Sequence, residues 1–227
     1  MGDLVLTTPI FRELKRVFPD AEITLLTSSG TGSVLNNNPH IDHFIWHKRK
    51  ESYSELNYLI KKLQKKKFDL VYDAHRSLRS IWIVWNLTRF RFHTTPKVWL
   101  INKRSWQRSL LINFKLNFLN NTPPQRQHLL LPLQNQTSLV LNNHTELFPD
   151  QNTVMQIKYF LNKNNLLQKK YIAIGASASY PLKRWPLKYF QELISKLIKQ
   201  DCPVVLVGGA NEPENTKLEH EFSGKVI

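Results

Sequence analysis

With 227 residues the chain can hold one large or two small domains, and a hydrophobic content of 41% is enough for a globular core. Lys and Arg outnumber Asp and Glu by 32 to 17, a formal net charge of +15 that favours acidic partners such as nucleic acid, anionic lipid head groups or phosphorylated sugars. The one cysteine, Cys202, excludes an intramolecular disulfide and suits a reducing compartment, and no apolar run approaches the roughly 18 to 20 residues that cross a bilayer.

The chain opens MGDLVLTTPIFRELKRVF. Thr7 or Thr8 is expected to cap a helix whose first turn holds Pro9, where a missing N–H would be unbonded anyway. Ile10, Phe11, Leu14, Val17 and Phe18 recur at helical spacing and form one apolar face. Asp3 then falls in a short turn beside a helix N-terminus, where a strand should have ended, yet no strand precedes it. Met1 is followed by Gly-Asp rather than a basic and apolar leader, so no signal peptide is expected. Residues 23–28 predict a strand, the stretch after Gly32 a short helix, and residues 43–46 another strand. Residues 54–67 predict a helix with Leu56, Leu59, Ile60 and Leu63 on one face. Residues 68–74 read as a buried strand and 77–87 as a helix, with Trp82 and Trp85 on one face as core. Residues 89–121 carry no assignable pattern, and 122–127 and 134–144 read as loop or linker. A domain boundary is expected around 145–165. Beyond it come a strand at 171–174, a helix at 187–199, a strand at 204–207, a turn at Gly208-Gly209 into a helix near Glu212, and the start of a strand at Val226-Ile227. This alternation predicts a parallel sheet covered on both faces.

Five stretches stand out in order along most of the chain: Gly2-Asp3 with Thr8-Pro9; DAHRSLRS at 73–80; Gly175-Ala176-Ser177; Lys183-Arg184-Trp185-Pro186; and Gly208-Gly209 followed by Glu212. Together they resemble the ADP-heptose:lipopolysaccharide heptosyltransferases, glycosyltransferase family 9. The resemblance implies an α/β fold of the GT-B type, two Rossmann-like doubly wound domains facing across a cleft. Residues 1–150 would form the acceptor side and 151–227 the nucleotide-sugar side. It further implies an inverting, metal-independent glycosyltransferase without a cofactor, moving heptose from ADP-heptose to the acidic inner core of lipopolysaccharide. Such a protein would be cytoplasmic and peripheral at the inner face of the inner membrane.

Site roles follow residue by residue from the same resemblance. Asp3 occupies the position of the general base, which takes the acceptor hydroxyl proton as the anomeric bond breaks; a solvated turn aspartate supporting the helix N-terminus is the other reading. Lys183 occupies that of the phosphate-binding lysine, just before a helix whose N-terminal N–H groups add partial positive charge. Ser177 and Ser179 can add hydroxyl donors, and Arg184 a second cation; surface solvation is the alternative for the Lys-Arg pair. Glu212 would accept hydrogen bonds from ribose hydroxyls at a strand end, where ligands of doubly wound sheets collect, or serve as a first-turn helix acid. Arg79 matches a basic position facing the Kdo carboxylates and lipid A phosphates of the acceptor. Arg76, also an acceptor-binding candidate, sits where some members have glycine.

His40, His43 and His47 lack a zinc spacing, and no RNA-binding, zinc-finger or helix-turn-helix pattern supports a nucleic-acid partner. Trp99 and Trp106 with neighbouring Lys and Arg suit either packing or a membrane-surface patch. Two family elements are not found, the first strand and an Asp-Thr-Gly-Leu-type motif, so the sequence reads as a fragment lacking both ends, poorly stable, with weak donor binding and little transfer. The competing readings are a non-catalytic basic module for anionic lipid or nucleic acid, or a relative using another nucleotide sugar.

Overall fold

Local sequence signals set most elements of the computed structural model, which describes residues 2–48, 52–89, 95–119, 122–178, 180–209 and 212–227. The chain divides into two units, Met1–Pro149 and Asp150–Ile227. The first holds, in order, α1 (Gly2–Val5), α2 (Thr8–Val17), β1 (Thr24–Ser28), α3 (Ser29–Gly32) running into a 3-10 turn at Ser33–Leu35, β2 (His43–His47), α4 (Tyr53–Lys65), β3 (Leu70–Asp73), α5 (Leu78–Thr88), β4 (Lys97–Leu100), α6 (Ser105–Phe114) and α7 (Gln125–Thr137). The second holds α8 (Gln151–Lys163), β5 (Ile172–Ile174), a 3-10 turn at Pro181–Lys183, α9 (Leu187–Lys199), β6 (Val204–Leu206) and α10 (Pro213–Glu221).

Helix starts are set by side-chain caps. Ser52 and Glu55 form a reciprocal capping box on α4, Ser77 and Ser80 one on α5, and Asp150 accepts from Thr153 N at the start of α8. The expected threonine cap on α2 does not form. Because α1 runs directly into α2, Thr7 keeps helical backbone angles, and its hydroxyl donates back to Leu4 O at 2.7 Å. Thr8 likewise donates to Val5 O at 2.9 Å, so the pair staples one helix to the other.

Among the described residues the strands form three two-stranded parallel sheets, β1 with β2 and β3 with β4 in the first unit and β5 with β6 in the second, so the first unit's strands pair as two ribbons rather than one sheet. Thr24 opposes His43, Leu70 opposes Lys97, and Ile172 opposes Val204. Val226 adds a bridge to Val204 where the last strand was expected. Among the described residues β1 and β3 are not hydrogen-bonded to each other, yet Leu26, Ile45 and Val71 share one core with Leu59, Ile60 and Leu63 of α4 and Ile83 and Leu87 of α5. β3 is less buried than its apolar run suggested, since only Asp73 is fully enclosed.

Two further expectations are corrected. Residues 125–127 and 134–137, expected as loop or linker, are the two ends of helix α7: its Leu129, Leu130 and Leu133 are buried against Ile10 and Leu14 of α2 and Ile101, and that burial outweighs Pro132, which removes one internal hydrogen bond. Trp82 and Trp85 are not core. Their rings stack at 5.0 Å on the outer side of α5, and the Arg89 guanidinium lies 4.0 Å from the Trp85 ring centre. In the second unit the core is Ile174, Ile194, Val204 and Leu218, from β5, α9, β6 and α10.

Candidate functional site

At the carboxyl end of β3 the chain turns sharply. Buried Asp73 accepts at Oδ1 from His75 N at 2.9 Å and Arg76 N at 2.8 Å, while its Oδ2 has no hydrogen-bond partner among the described residues. This clamp holds Arg76 at φ 45°, in the left-handed region that favours glycine. The Arg76 guanidinium donates to Ile101 O at 3.1 Å and ties the loop to the end of β4. The capping box of α5 sets Arg79 in the first helical turn, where its Nη1 donates to Lys48 O at 3.2 Å and lies 3.3 Å from His47 Nδ1. Both arginines therefore stand at carboxyl ends of parallel strands, the ligand side of an open α/β sheet, and both hold backbone carbonyls there.

Asp3 lies within α1, not in the strand-to-helix turn expected for it. It is exposed, and its carboxylate makes no hydrogen bond or ion pair with the described residues. Sequence reasoning missed the neighbouring clamp. Buried Glu13 pairs with Arg12 and with Arg16 at 3.3 and 2.8 Å. Arg12 also reaches Glu146 at 2.9 Å and the carbonyls of Asn142 and His144, so the extended segment after α7 is fastened along α2. Charge at helix positions i and i+3 hints at the Glu13–Arg16 pair, but nothing local points to residues so distant in sequence.

In the second unit the carboxyl ends of β5 and β6 feed the amino ends of α9 and α10. A depression of ≈ 350 Å³ is lined there by Arg184, Trp185, Pro186 and Leu187 at the start of α9 and by Pro213, Glu214 and Lys217 at the start of α10. A larger hollow of ≈ 840 Å³ continues along Gln191, Thr216 and His220, away from the strand ends and the charged cluster. Within the smaller one, Glu214 accepts from the Ser177 hydroxyl at 3.1 Å and from Arg184 Nη1 at 2.8 Å. Arg184 Nε donates to Ala178 O at 2.7 Å. Its own backbone N–H, then the Ser177 hydroxyl and the Arg184 charge, hold the Glu214 carboxyl below the usual glutamate range. A helix N-terminus flanked by cations favours negative charge, and the Glu214 carboxylate stands there against Ser177 and Arg184.

Of the residues singled out from sequence, Ser177 and Arg184 are thus brought together, and Glu214 is the partner that was overlooked. Its signal was an acid in the first turn after the Gly208-Gly209 turn. Glu212 precedes α10 and caps no backbone N–H; its Oε2 accepts from Asn215 Nδ2 at 3.2 Å. Gly208 lies against both side chains, since a Cβ there would meet Asn215 Nδ2 at 1.9 Å and Glu212 Oε2 at 2.3 Å. Lys183 is exposed at the end of its 3-10 turn, with Nζ 5.8 Å from the Tyr180 ring centre, and joins no ion pair among the described residues. Trp185 packs on Tyr189 and Phe190 and anchors the turn to α9. Ser179 lies outside the described residues.

The architecture is an α/β fold resembling GT-B glycosyltransferases. A solved family 9 glycosyl transferase from Veillonella parvula DSM 2008 aligns with a TM-score of 0.75 over 100% of this chain and 65% of its own, at 20% identity. Escherichia coli heptosyltransferase WaaC, solved with ADP, gives 0.62 over 99% of this chain and 69% of its own, at 16% identity. In sequence, the model of glycosyltransferase family 9 (heptosyltransferase) matches residues 57–225. Lipopolysaccharide heptosyltransferase 3 of Escherichia coli is 36% identical over 93 residues, which is 39% of this chain and 26% of that protein. The chain belongs to glycosyltransferase family 9. It aligns with about a quarter of that curated relative's length and about two thirds of each solved chain.

Proposed function

We propose that this chain serves an inverting, metal-independent heptosyl transfer from ADP-heptose to the inner core of lipopolysaccharide, at the cytoplasmic face of the inner membrane. The observation that carries the reading is the hydrogen-bonded cluster of Ser177 and Arg184 on Glu214, in the first turn of α10, in a chain of glycosyltransferase family 9. In this reading residues 151–227 bind the donor and residues 1–150 the acceptor. The donor diphosphate displaces the Glu214 carboxylate and takes the Arg184 guanidinium and the Ser177 and Ser179 hydroxyls, with Lys183 swinging in as the clamp. Glu212 accepts hydrogen bonds from the ribose. Arg79, and Arg76 beside it, face acceptor carboxylates and phosphates.

Asp3 takes the proton of the acceptor hydroxyl as its oxygen forms a bond to the anomeric carbon. On the opposite face the bond from that carbon to the phosphate oxygen breaks, and ADP leaves with the electron pair, its charge met by Lys183 and Arg184. The test is Asp3→Asn alongside Arg184→Met, with ADP-heptose binding and heptose transfer measured separately. Asp3→Asn is expected to lower kcat by about 10²- to 10⁴-fold with donor affinity unchanged, and Arg184→Met to weaken donor binding. Full turnover in Asp3→Asn would refute the role of the base.

A further inference from the structure

Between Asp73 and Glu146 the sequence contains no aspartate or glutamate, while ten lysines and arginines fall in that interval. Within it, α6 is an unusual helix: none of its ten residues is buried. It exposes Trp106, Ile112 and Phe114 by 61%, 67% and 68%, and Leu116 and Phe118 just beyond it by 51% and 57%. Lys115 closes the helix in a left-handed conformation, Leu116 N bonds back to Leu110 O at 3.3 Å, and the Phe118 ring returns to within 6.2 Å of Trp106. The turn therefore gathers large apolar side chains around the helix. Lys103, Arg104, Arg108 and Lys115 are interleaved with them, and none pairs with a described carboxylate.

We infer that α6 and the turn that follows it, residues 105–118, dock the protein onto an anionic lipid bilayer. A short helix lying in the interface buries aromatic and aliphatic side chains at the acyl boundary while cations meet the head groups, and tryptophan suits that boundary. A bilayer fits better than a protein groove because these cations pair with no described carboxylate while large aromatic and aliphatic side chains stand exposed beside them. The inference deepens the membrane contact in the proposed function, but the binding it describes needs neither donor nor acceptor.

The experiment is co-sedimentation of the purified protein with phosphatidylcholine vesicles and with vesicles containing phosphatidylglycerol, at low and high salt. Binding is expected on the anionic vesicles and is weakened by salt. A Trp106→Ser/Phe114→Ser/Phe118→Ser variant should lose at least about tenfold in partitioning. An Arg104→Gln/Arg108→Gln/Lys115→Gln variant should lose about a hundredfold on anionic vesicles. Because α6 buries no side chain, both variants keep the wild-type circular dichroism. Equal binding to neutral vesicles, or unchanged binding in both variants, overturns the inference. So does binding lost only in a Trp82→Ser/Trp85→Ser variant, which moves the surface to α5. A dimer in light scattering that the apolar variant abolishes gives the face to a second copy instead. An oligonucleotide that outcompetes vesicles would give the charge to nucleic acid. If vesicle binding behaves as expected but heptose transfer fails, the docking surface stands and the proposed reaction falls alone.

Discussion

Replacing Gly208 by alanine tests whether the turn after β6 is packed as described. A Cβ on residue 208 would lie 1.9 Å from Asn215 Nδ2 and 2.3 Å from Glu212 Oε2, well inside van der Waals contact. Both atoms end flexible side chains and the Gly208 backbone is outside the left-handed region, so relief comes from rotating the two side chains away. What is lost is the pair of hydrogen bonds from Asn215 Nδ2, to Val207 O at 3.3 Å and to Glu212 Oε2 at 3.2 Å. Both are long and partly solvated, so together they contribute about 1–2 kcal/mol. Alanine offsets about 0.4–1 kcal/mol of that by restricting the unfolded chain. The expected net cost is about 1 kcal/mol, a fall in Tm of about 4–8 °C for a unit of this size. In an Asn215→Ala background the bonds are already absent and the nearer clash is gone, so Gly208→Ala there should be neutral or slightly stabilising. Urea denaturation of the four proteins reads the coupling, expected at about 1–2 kcal/mol. Additive effects would refute the packing argument.

Arg76→Gly should cost less stability than Arg76→Ala, by about 1 kcal/mol, because both lose the bond to Ile101 O but only glycine relieves the left-handed backbone; denaturation midpoints decide it. Ile194→Ala, at a fully enclosed position of the second core, should destabilise that unit by about 2–5 kcal/mol in the same assay. The Glu214 carboxyl is depressed in the folded chain by its backbone N–H, Ser177 and Arg184. Its contribution is therefore present above the ordinary glutamate pKa and is lost as pH falls through the lower folded value. The difference in denaturation midpoint between wild type and Arg184→Met should shrink from about pH 6 to about pH 3; a difference that grows on acidification would refute the pairing.

The elements with strong periodicity were legible because burial and period agree in them. α4 and α9 lie where apolar spacing set them; β1, β5 and β6 fall within their expected runs, and β2 runs one residue past its own, to His47. α7 was not legible. Its polar ends and Pro132 argue for loop, and its three buried leucines become helical only by packing on α2. The Trp82 and Trp85 pair misled for the converse reason: spacing tells which residues share a face, not whether another element covers it. At the candidate site, Ser177 and Arg184 were visible as residue types beside a turn, but the carboxylate that joins them comes from another helix. Arg76 is the clearest case of chemistry read through conformation. A glycine-like position in the family pattern corresponds here to a left-handed arginine pinned by Asp73.

For the transfer proposed above, the shortage of carboxylates narrows the choice of base in the first unit. Glu13 is held by two arginines, Asp42 by Lys15 and Ile23 N, Glu55 by its cap, Asp73 by two backbone N–H groups and Glu146 by Arg12. A carboxylate so engaged cannot approach a hydroxyl without losing its partner. Among the described carboxylates of this unit, Asp3, Asp20 and Asp69 have no such partner and Glu22 has only His43 at 3.6 Å; all four are exposed. In a parallel α/β layer the chain enters a helix at the carboxyl ends of the strands and leaves it at their amino ends, and ligands bind at the carboxyl ends. Asp20 and Glu22 follow α2 and precede β1, and Asp69 stands just before β3, so all three belong to the amino-end side. Asp3 precedes α2 and belongs to the other. On the proposed reaction the expected outcome is asymmetric: Asp20→Asn and Asp69→Asn should keep the wild-type rate of transfer within about twofold, while Asp3→Asn lowers it by about 10²- to 10⁴-fold. A loss of rate in either control equal to that in Asp3→Asn, with donor binding intact in all three, would show that position relative to the strand ends does not select the base.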